Sequence, residues 1–155
     1  MSSALQIGVE IPAFEAKDFG GDPITRDDLL GAPFVIYFYP KDDTPGCTQE
    51  ACEFRDLMDS FEDMNVMVVG VSPDGASSHQ KFMEKHELNF PLISDENFEI
   101  AKAFGVAKEK EGGGLGIVRS TFLCDEDGVV QWVESPVKVD GHVARVLQAI
   151  QDVLA

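Results

Sequence analysis

The sequence predicts an α/β protein, with a mixed central β-sheet flanked by helices and an N-terminal hairpin extension. Three observations predict it. The runs at residues 34–39 and 66–71 are continuously apolar and β-rich, the pattern of strands buried on both faces of a sheet. The stretch between them has helical periodicity, which makes a βαβ unit. Further along, Asp125-Glu126-Asp127-Gly128 separates two more β-rich runs, a hairpin signal that adds antiparallel strands to the parallel start.

Taken in order, residues 7–25 mix Gly, Pro and Asp with short apolar pieces and read as an entry loop with a small hairpin around Phe14 and Ile24. After the strand at 34–39, a helix is expected from Cys47 to about Phe61, then the second strand. Ser72-Pro73-Asp74 breaks the chain before a helix over 76–86, with Phe82 and Met83 facing inward. A short strand at 91–93 and a helix near 97–104 follow. Residues 109–116, charged and then Gly-rich, read as a loop. The hairpin pairs 120–124 with 129–133. A last helix covers 141–154, with Val143, Val146, Leu147 and Ile150 at helical spacing. This order of strands and helices is thioredoxin-like.

With 155 residues, the chain is long enough for one domain, residues 1–155, with a substantial core of its own. Hydrophobic residues make up 44% and charged residues 26%, which argues against disorder. The net charge of -16 would repel phosphate backbones and anionic membrane surfaces, so neither nucleic acid nor membrane is an expected partner. A similar acid excess also occurs in proteins of high-salt cytoplasm, where it maintains solubility. No signal peptide and no membrane span is visible, and the expected location is cytoplasmic. In that compartment three cysteines stay reduced on average, so a disulfide would be transient and catalytic rather than structural.

Functional information concentrates at residues 39–52. There an apolar strand runs into a Pro/Gly turn and then a helix start that carries Cys47, with Cys52 five positions later. The unpaired N–H groups and summed dipoles of a helix's first turn favour negative charge, so a thiol at this place is set up as a thiolate. At about 100° per residue, Ala51, Phe54, Met58 and Phe61 form one apolar stripe with Cys47 on the same side, whereas Cys52 falls on the polar flank beside Arg55, Asp56 and Asp59. Thr44 could turn its hydroxyl toward the sulfur or toward an oxygen substrate, and Arg119, just before the strand at 120–124, could reach the site with its cation. Pro40, lacking an N–H, would shape the pocket wall and keep water out.

Pro40-x-x-x-Thr44-x-x-Cys47 is similar to the active-site pattern of the peroxiredoxins. The longer Pro45-Gly46-Cys47-Thr48-Gln49-Glu50-Ala51-Cys52 resembles their bacterioferritin-comigratory-protein, or Q, subfamily. The likeness continues at Val71-Ser72-Pro73-Asp74, Phe90-Pro91-Leu92-Ile93-Ser94-Asp95, Ala103-Phe104-Gly105-Val106 and Gly116-Ile117-Val118-Arg119-Ser120-Thr121-Phe122-Leu123, in the family's order along nearly the whole chain. The resemblance implies a thiol-dependent peroxidase that acts on hydrogen peroxide and small organic hydroperoxides without a cofactor. It implies that Cys47 is the peroxidatic cysteine, oxidised to a sulfenic acid, and that Cys52 resolves it as an intramolecular disulfide. It makes Thr44 and Arg119 the activating pair, a thioredoxin- or glutaredoxin-like protein the reductant, and the chain a monomer or weak homodimer.

Residues five apart in an intact helix have Cα atoms roughly 8.6 Å apart, and a disulfide needs less than about 7 Å. A Cys47–Cys52 bond therefore requires the first turns of the helix to unwind. Two other functions fit a reactive thiol in a thioredoxin-like fold. A disulfide oxidoreductase normally uses C-x-x-C, but position 50 is Glu50. A peroxide sensor would relay its oxidation to a partner and lack sustained turnover. Cys124, inside a strand, reads as a core residue, and His79 and His86 as polar-flank or packing residues. No metal is expected: an iron–sulfur run would need a cysteine where Arg55 stands, and there is no C-x-x-C for zinc.

Overall fold

The computed structural model describes residues 4–154. Among these residues nine strands and five α-helices follow in the order β1(Glu15–Asp18), β2(Pro23–Thr25), β3(Phe34–Phe38), α1(Pro45–Asp56), α2(Met58–Asp63), β4(Met67–Ser72), α3(Ala76–His86), β5(Leu92–Ser94), α4(Glu99–Ala103), β6(Ala107–Glu109), β7(Leu115–Ile117), β8(Ser120–Cys124), β9(Val130–Glu134) and α5(His142–Leu154). Seven strands form one sheet, ordered β2-β1-β5-β4-β3-β8-β9. Its centre is parallel, with Val35 opposite Val68 and Val71 opposite Ile93, and β8 joins β3 antiparallel with Ile36 opposite Phe122. The α/β class and mixed sheet are those expected.

All five residues of β3 are buried, and the two-residue strand period divides their side chains between two cores. Val35, Tyr37 and Tyr39 face α1, α2, α3 and α5 in a core that includes Ala51, Phe54, Phe61, Phe82, Val146 and Ile150. Phe34, Ile36 and Phe38 face the opposite layer, with Ile100, Ala101 and Phe104 of the α4 region. Burying a Phe fully is worth about 2 kcal/mol relative to leaving it exposed. Phe54 has no exposure and stacks on Tyr37 at 4.7 Å between ring centroids, which seats α1 on the sheet just past the Cys47 turn.

The expected N-terminal hairpin is β1 with β2, and β1 also pairs with β5, so that it extends the main sheet. Two elements differ from expectation. The helix expected from 47 to 61 is two helices separated at Leu57, whose N–H is shared between the Glu53 and Phe54 carbonyls. Ala51, Phe54, Met58 and Phe61 are all buried, so the apolar stripe keeps its phase across the break and the periodicity reads straight through it. The segment at 109–116, expected as a loop, includes the ends of two strands: β6 pairs with β7 in a second, two-stranded sheet, and residues 110–114 are its turn. Gly112, Gly113 and Gly114 have φ of 86°, 100° and 82°, a left-handed run that only glycines adopt without penalty.

Candidate active site

β3 and β4 are parallel, and the site lies beyond their carboxyl ends, where such sheets hold their functional groups. Tyr39 still donates its N–H to Val71, after which the chain turns through residues 40–44 into α1. Thr44 is the N-cap in extended conformation and Pro45 occupies the first helical turn, where a missing N–H costs nothing. Cys47 follows, 1% exposed, in the turn whose N–H groups lack intrahelical partners.

Arg119, between β7 and β8, reaches across to this turn. Its Nη2 donates to Cys47 Sγ at 3.2 Å and its Nη1 to Glu50 Oε1 at 2.9 Å. Burial pulls the Arg119 pKa down, but the charges of Glu50 and Cys47 and hydrogen bonds to both raise it overall. The guanidinium stays cationic beside the sulfur. Gly46 makes room for it, since a Cβ there would sit 3.3 Å from Nη2.

The remaining expected residues are placed as follows. Thr44 Oγ1 donates to the Lys41 carbonyl at 2.9 Å and makes no cap hydrogen bond. Pro40 is exposed at the strand end. Cys52 is partly exposed on α1, and all three thiols are free. Burial pushes the Cys124 thiol up to about 12, with the Asp125 charge adding to it, as befits an inert core residue.

Sequence reasoning did not find two buried networks. In the first, Glu50, without exposure, faces Arg119 through one oxygen and His142 Nδ1, at 3.0 Å, through the other; His142 Nε2 lies 2.8 Å from Thr121 Oγ1. Glu50 falls three positions after Cys47 and thus on its side of the helix, a detectable signal. In the second, Asp42 accepts from Tyr39 Oη at 2.6 Å and Ser78 Oγ at 2.8 Å, and its other close neighbour is His79 Nδ1 at 2.7 Å. Its own N–H donates to Asp74. His79 is fully buried rather than on a polar flank, because α3 packs that face against the 40–44 loop. Asp43, in the left-handed region at φ 60°, is held by Lys85 at 2.6 Å and lies 3.0 Å from His86 Nε2. The turn that delivers Cys47 is thus pinned to α3 from two adjacent residues.

A buried thiol at a helix start beneath a guanidinium, beyond the ends of parallel strands, defines a thiol peroxidase of thioredoxin fold. The chain belongs to the AhpC/TSA family, whose model matches residues 7–133, and within it to the Bcp/PrxQ peroxiredoxins. It is 45% identical to the peroxiredoxin Bcp of Bacillus subtilis over 153 residues, covering 96% of each chain. It superposes on a crystal structure of a Xylella fastidiosa PrxQ mutant with a TM-score of 0.91 at 37% identity, covering 97% of this chain and 98% of that one. The bacterioferritin comigratory protein of Xanthomonas campestris, whose structures were solved to explain its alkyl peroxide reduction, matches with a TM-score of 0.88 at 39% identity over 95% of this chain and 98% of the other. The protein is a peroxiredoxin, a thiol-dependent peroxidase. Among the described residues no helix is long and apolar enough to cross a membrane.

Proposed function

We propose that Cys47 is the peroxidatic thiolate and Cys52 the resolving thiol of this enzyme, acting on hydrogen peroxide and small organic hydroperoxides. The observation that carries the reading is the 3.2 Å contact of Arg119 Nη2 with Cys47 Sγ in a first helical turn. The thiolate attacks the terminal oxygen of the peroxide in line with the O–O bond. That bond breaks, Cys47 becomes a sulfenic acid, and the other oxygen leaves as hydroxide from hydrogen peroxide or as alkoxide from an organic hydroperoxide, taking a proton from solvent. Charge grows on the leaving oxygen, and Arg119 and the α1 N–H groups are donors suited to receive it. Thr44 spends its proton on Lys41, which leaves its lone pairs to accept from a hydroperoxide's O–H. Pro40 borders the entrance.

Cys52 then attacks the sulfenic sulfur, forming the disulfide and releasing water. A thioredoxin- or glutaredoxin-like dithiol reduces it and is itself oxidised. Among the described residues the large exposed hydrophobics are Ile7 and Val9 in the segment before β1, Leu57 between α1 and α2, Met67 of β4 and Val153 of α5; the absence of any one element carrying a run of them supports a monomer or weak homodimer. The reading extends to one domain over 1–155 in the cytoplasm.

One equivalent of peroxide should convert reduced protein to a species whose mass map joins Cys47 to Cys52. Cys47→Ser should abolish peroxide consumption; a retained rate overturns the assignment. Cys52→Ser should leave the first turnover intact and impair recycling, and unaltered steady-state turnover with thioredoxin would remove its resolving role.

A further inference from the structure

Two buried polar atoms beside Cys47 make no well-formed hydrogen bond: Glu50 Oε2 and His142 Nδ1. They lie 3.0 Å apart with both side chains fully buried, so the shortfall is one of angle. Buried polar atoms nearly always have partners, and two left facing each other need a reason. His142 opens α5, its other nitrogen is fixed by Thr121 of β8 at 2.8 Å, and its ring stands edge-on to Phe54 of α1 at 5.6 Å. Thr121 is two residues beyond Arg119. Three elements thus converge on the carboxylate that Arg119 uses as its second anchor.

We propose that His142 is a positioning residue for peroxide reduction: by facing Glu50 it holds that carboxylate against Arg119 and so keeps the guanidinium on Cys47 Sγ. The inference rests on Cys47 as the attacking thiolate. With the Thr121 hydroxyl as donor to Nε2, the ring proton sits on Nδ1, 3.0 Å from Oε2 though off the hydrogen-bond line. Oε1 accepts from Arg119, whose planar fork then has one orientation in which Nη2 also meets sulfur. Without His142, a fully buried carboxylate keeps one charged partner and an unmatched oxygen, and relaxes toward a different rotamer. Arg119 follows it.

The test uses the full chain and reads the second-order rate of Cys47 oxidation by hydrogen peroxide in a single turnover. His142→Phe keeps a ring and removes the donor; it should slow oxidation by about 10- to 100-fold, the scale of a misplaced catalytic group. In a Glu50→Gln background the same substitution should cost less than about twofold, because coupled residues are not additive. An undiminished rate in folded His142→Phe, or an equal loss in both backgrounds, overturns the proposal. Thr121→Val provides a second route that leaves the histidine in place. It should slow oxidation in the same direction and lose that effect in the Glu50→Gln background; no slowing overturns the proposal as well. If instead Cys47→Ser consumes hydrogen peroxide at the wild-type rate, it is the assignment of the thiolate that fails.

Discussion

Arg119 divides one guanidinium between two residues of α1: Nη2 donates to Cys47 Sγ at 3.2 Å while Nη1 donates to Glu50 Oε1 at 2.9 Å. The two acceptors lie three apart on one helical face, so a planar fork can bridge them and a point charge cannot. The bridge ties the sulfur's electrostatic partner to the helix that carries the sulfur.

Arg119→Lys should therefore behave as a severe substitution despite conserving charge. The ammonium has to choose between sulfur and carboxylate. Loss of one preorganised donor to developing charge costs about 100-fold or more, and stopped-flow oxidation of Cys47 should show a loss of that order. A rate equal to wild type would mean that Arg119 contributes only long-range charge.

Gly46→Ala separates positioning from stability. Its backbone is helical, so Ala is favoured there by roughly 1 kcal/mol over Gly in helix propensity. The added Cβ would stand 3.3 Å from Arg119 Nη2 and 3.9 Å from Val139 Cγ2, close enough to push the guanidinium aside by a few tenths of an ångström. The expected outcome is an unchanged or raised melting temperature with slower peroxide reduction. A rate that rises with stability would show that the guanidinium has slack.

β3 and β4 were legible as unbroken apolar, β-rich runs, the β8–β9 hairpin from the Asp125–Gly128 turn between two such runs, and the apolar faces of α3 and α5 from helical spacing. Cys47, Arg119 and their neighbourhood were legible for a different reason: a cysteine beside a Pro/Gly turn at a strand end has few structural uses. The network behind them was not. Glu50 shares Cys47's side of α1, but its partner His142 lies far along the chain, and only the packing of α1 against α5 brings the two together. His79 was hidden likewise, since its partner Asp42 is 37 residues away in sequence. The break at Leu57 has no Gly or Pro to mark it.

Alkaline pH should destabilise the fold through three buried acids, Cys124, Tyr37 and Tyr39. Burial raises the Cys124 pKa from 9.0 to about 12, and burial likewise lifts Tyr37 and Tyr39 well above 10.0. A folded pKa above the unfolded one gives stability that is full below the unfolded value and is lost as pH rises toward the folded one. Each such group contributes a slope of up to about 1.4 kcal/mol per pH unit. Urea unfolding should weaken steadily above pH 9, and Cys124→Ala should flatten that decline. Iodoacetamide at pH 8 should label Cys47 and Cys52 in the native protein and spare Cys124; labelling of Cys124 at a comparable rate would mean that its strand opens readily.

The proposed resolution by Cys52 would make the sharpest demand on the fold. The two cysteines lie in one helix, α1, at a spacing of roughly 8.6 Å between Cα atoms when it is wound, and Glu50 lies between them with its charge buried. Closing that disulfide would pull Glu50 from Arg119 and from His142. The limits of the rearrangement are set by what holds on either side. Asp42 and Asp43 are pinned to α3 through Ser78, His79 and Lys85, and α1 already ends at Asp56 with the step at Leu57. Amide hydrogen exchange should accordingly show protection lost across residues 45–56 on oxidation, with α2 and α3 retaining theirs. The N-terminal turn of α5 should exchange faster too, because His142 loses Glu50. An oxidised protein that carries the Cys47–Cys52 bond with α1 still protected would refute the unwinding step, and loss that spreads into α3 would show that the Asp42 and Asp43 anchors do not bound it.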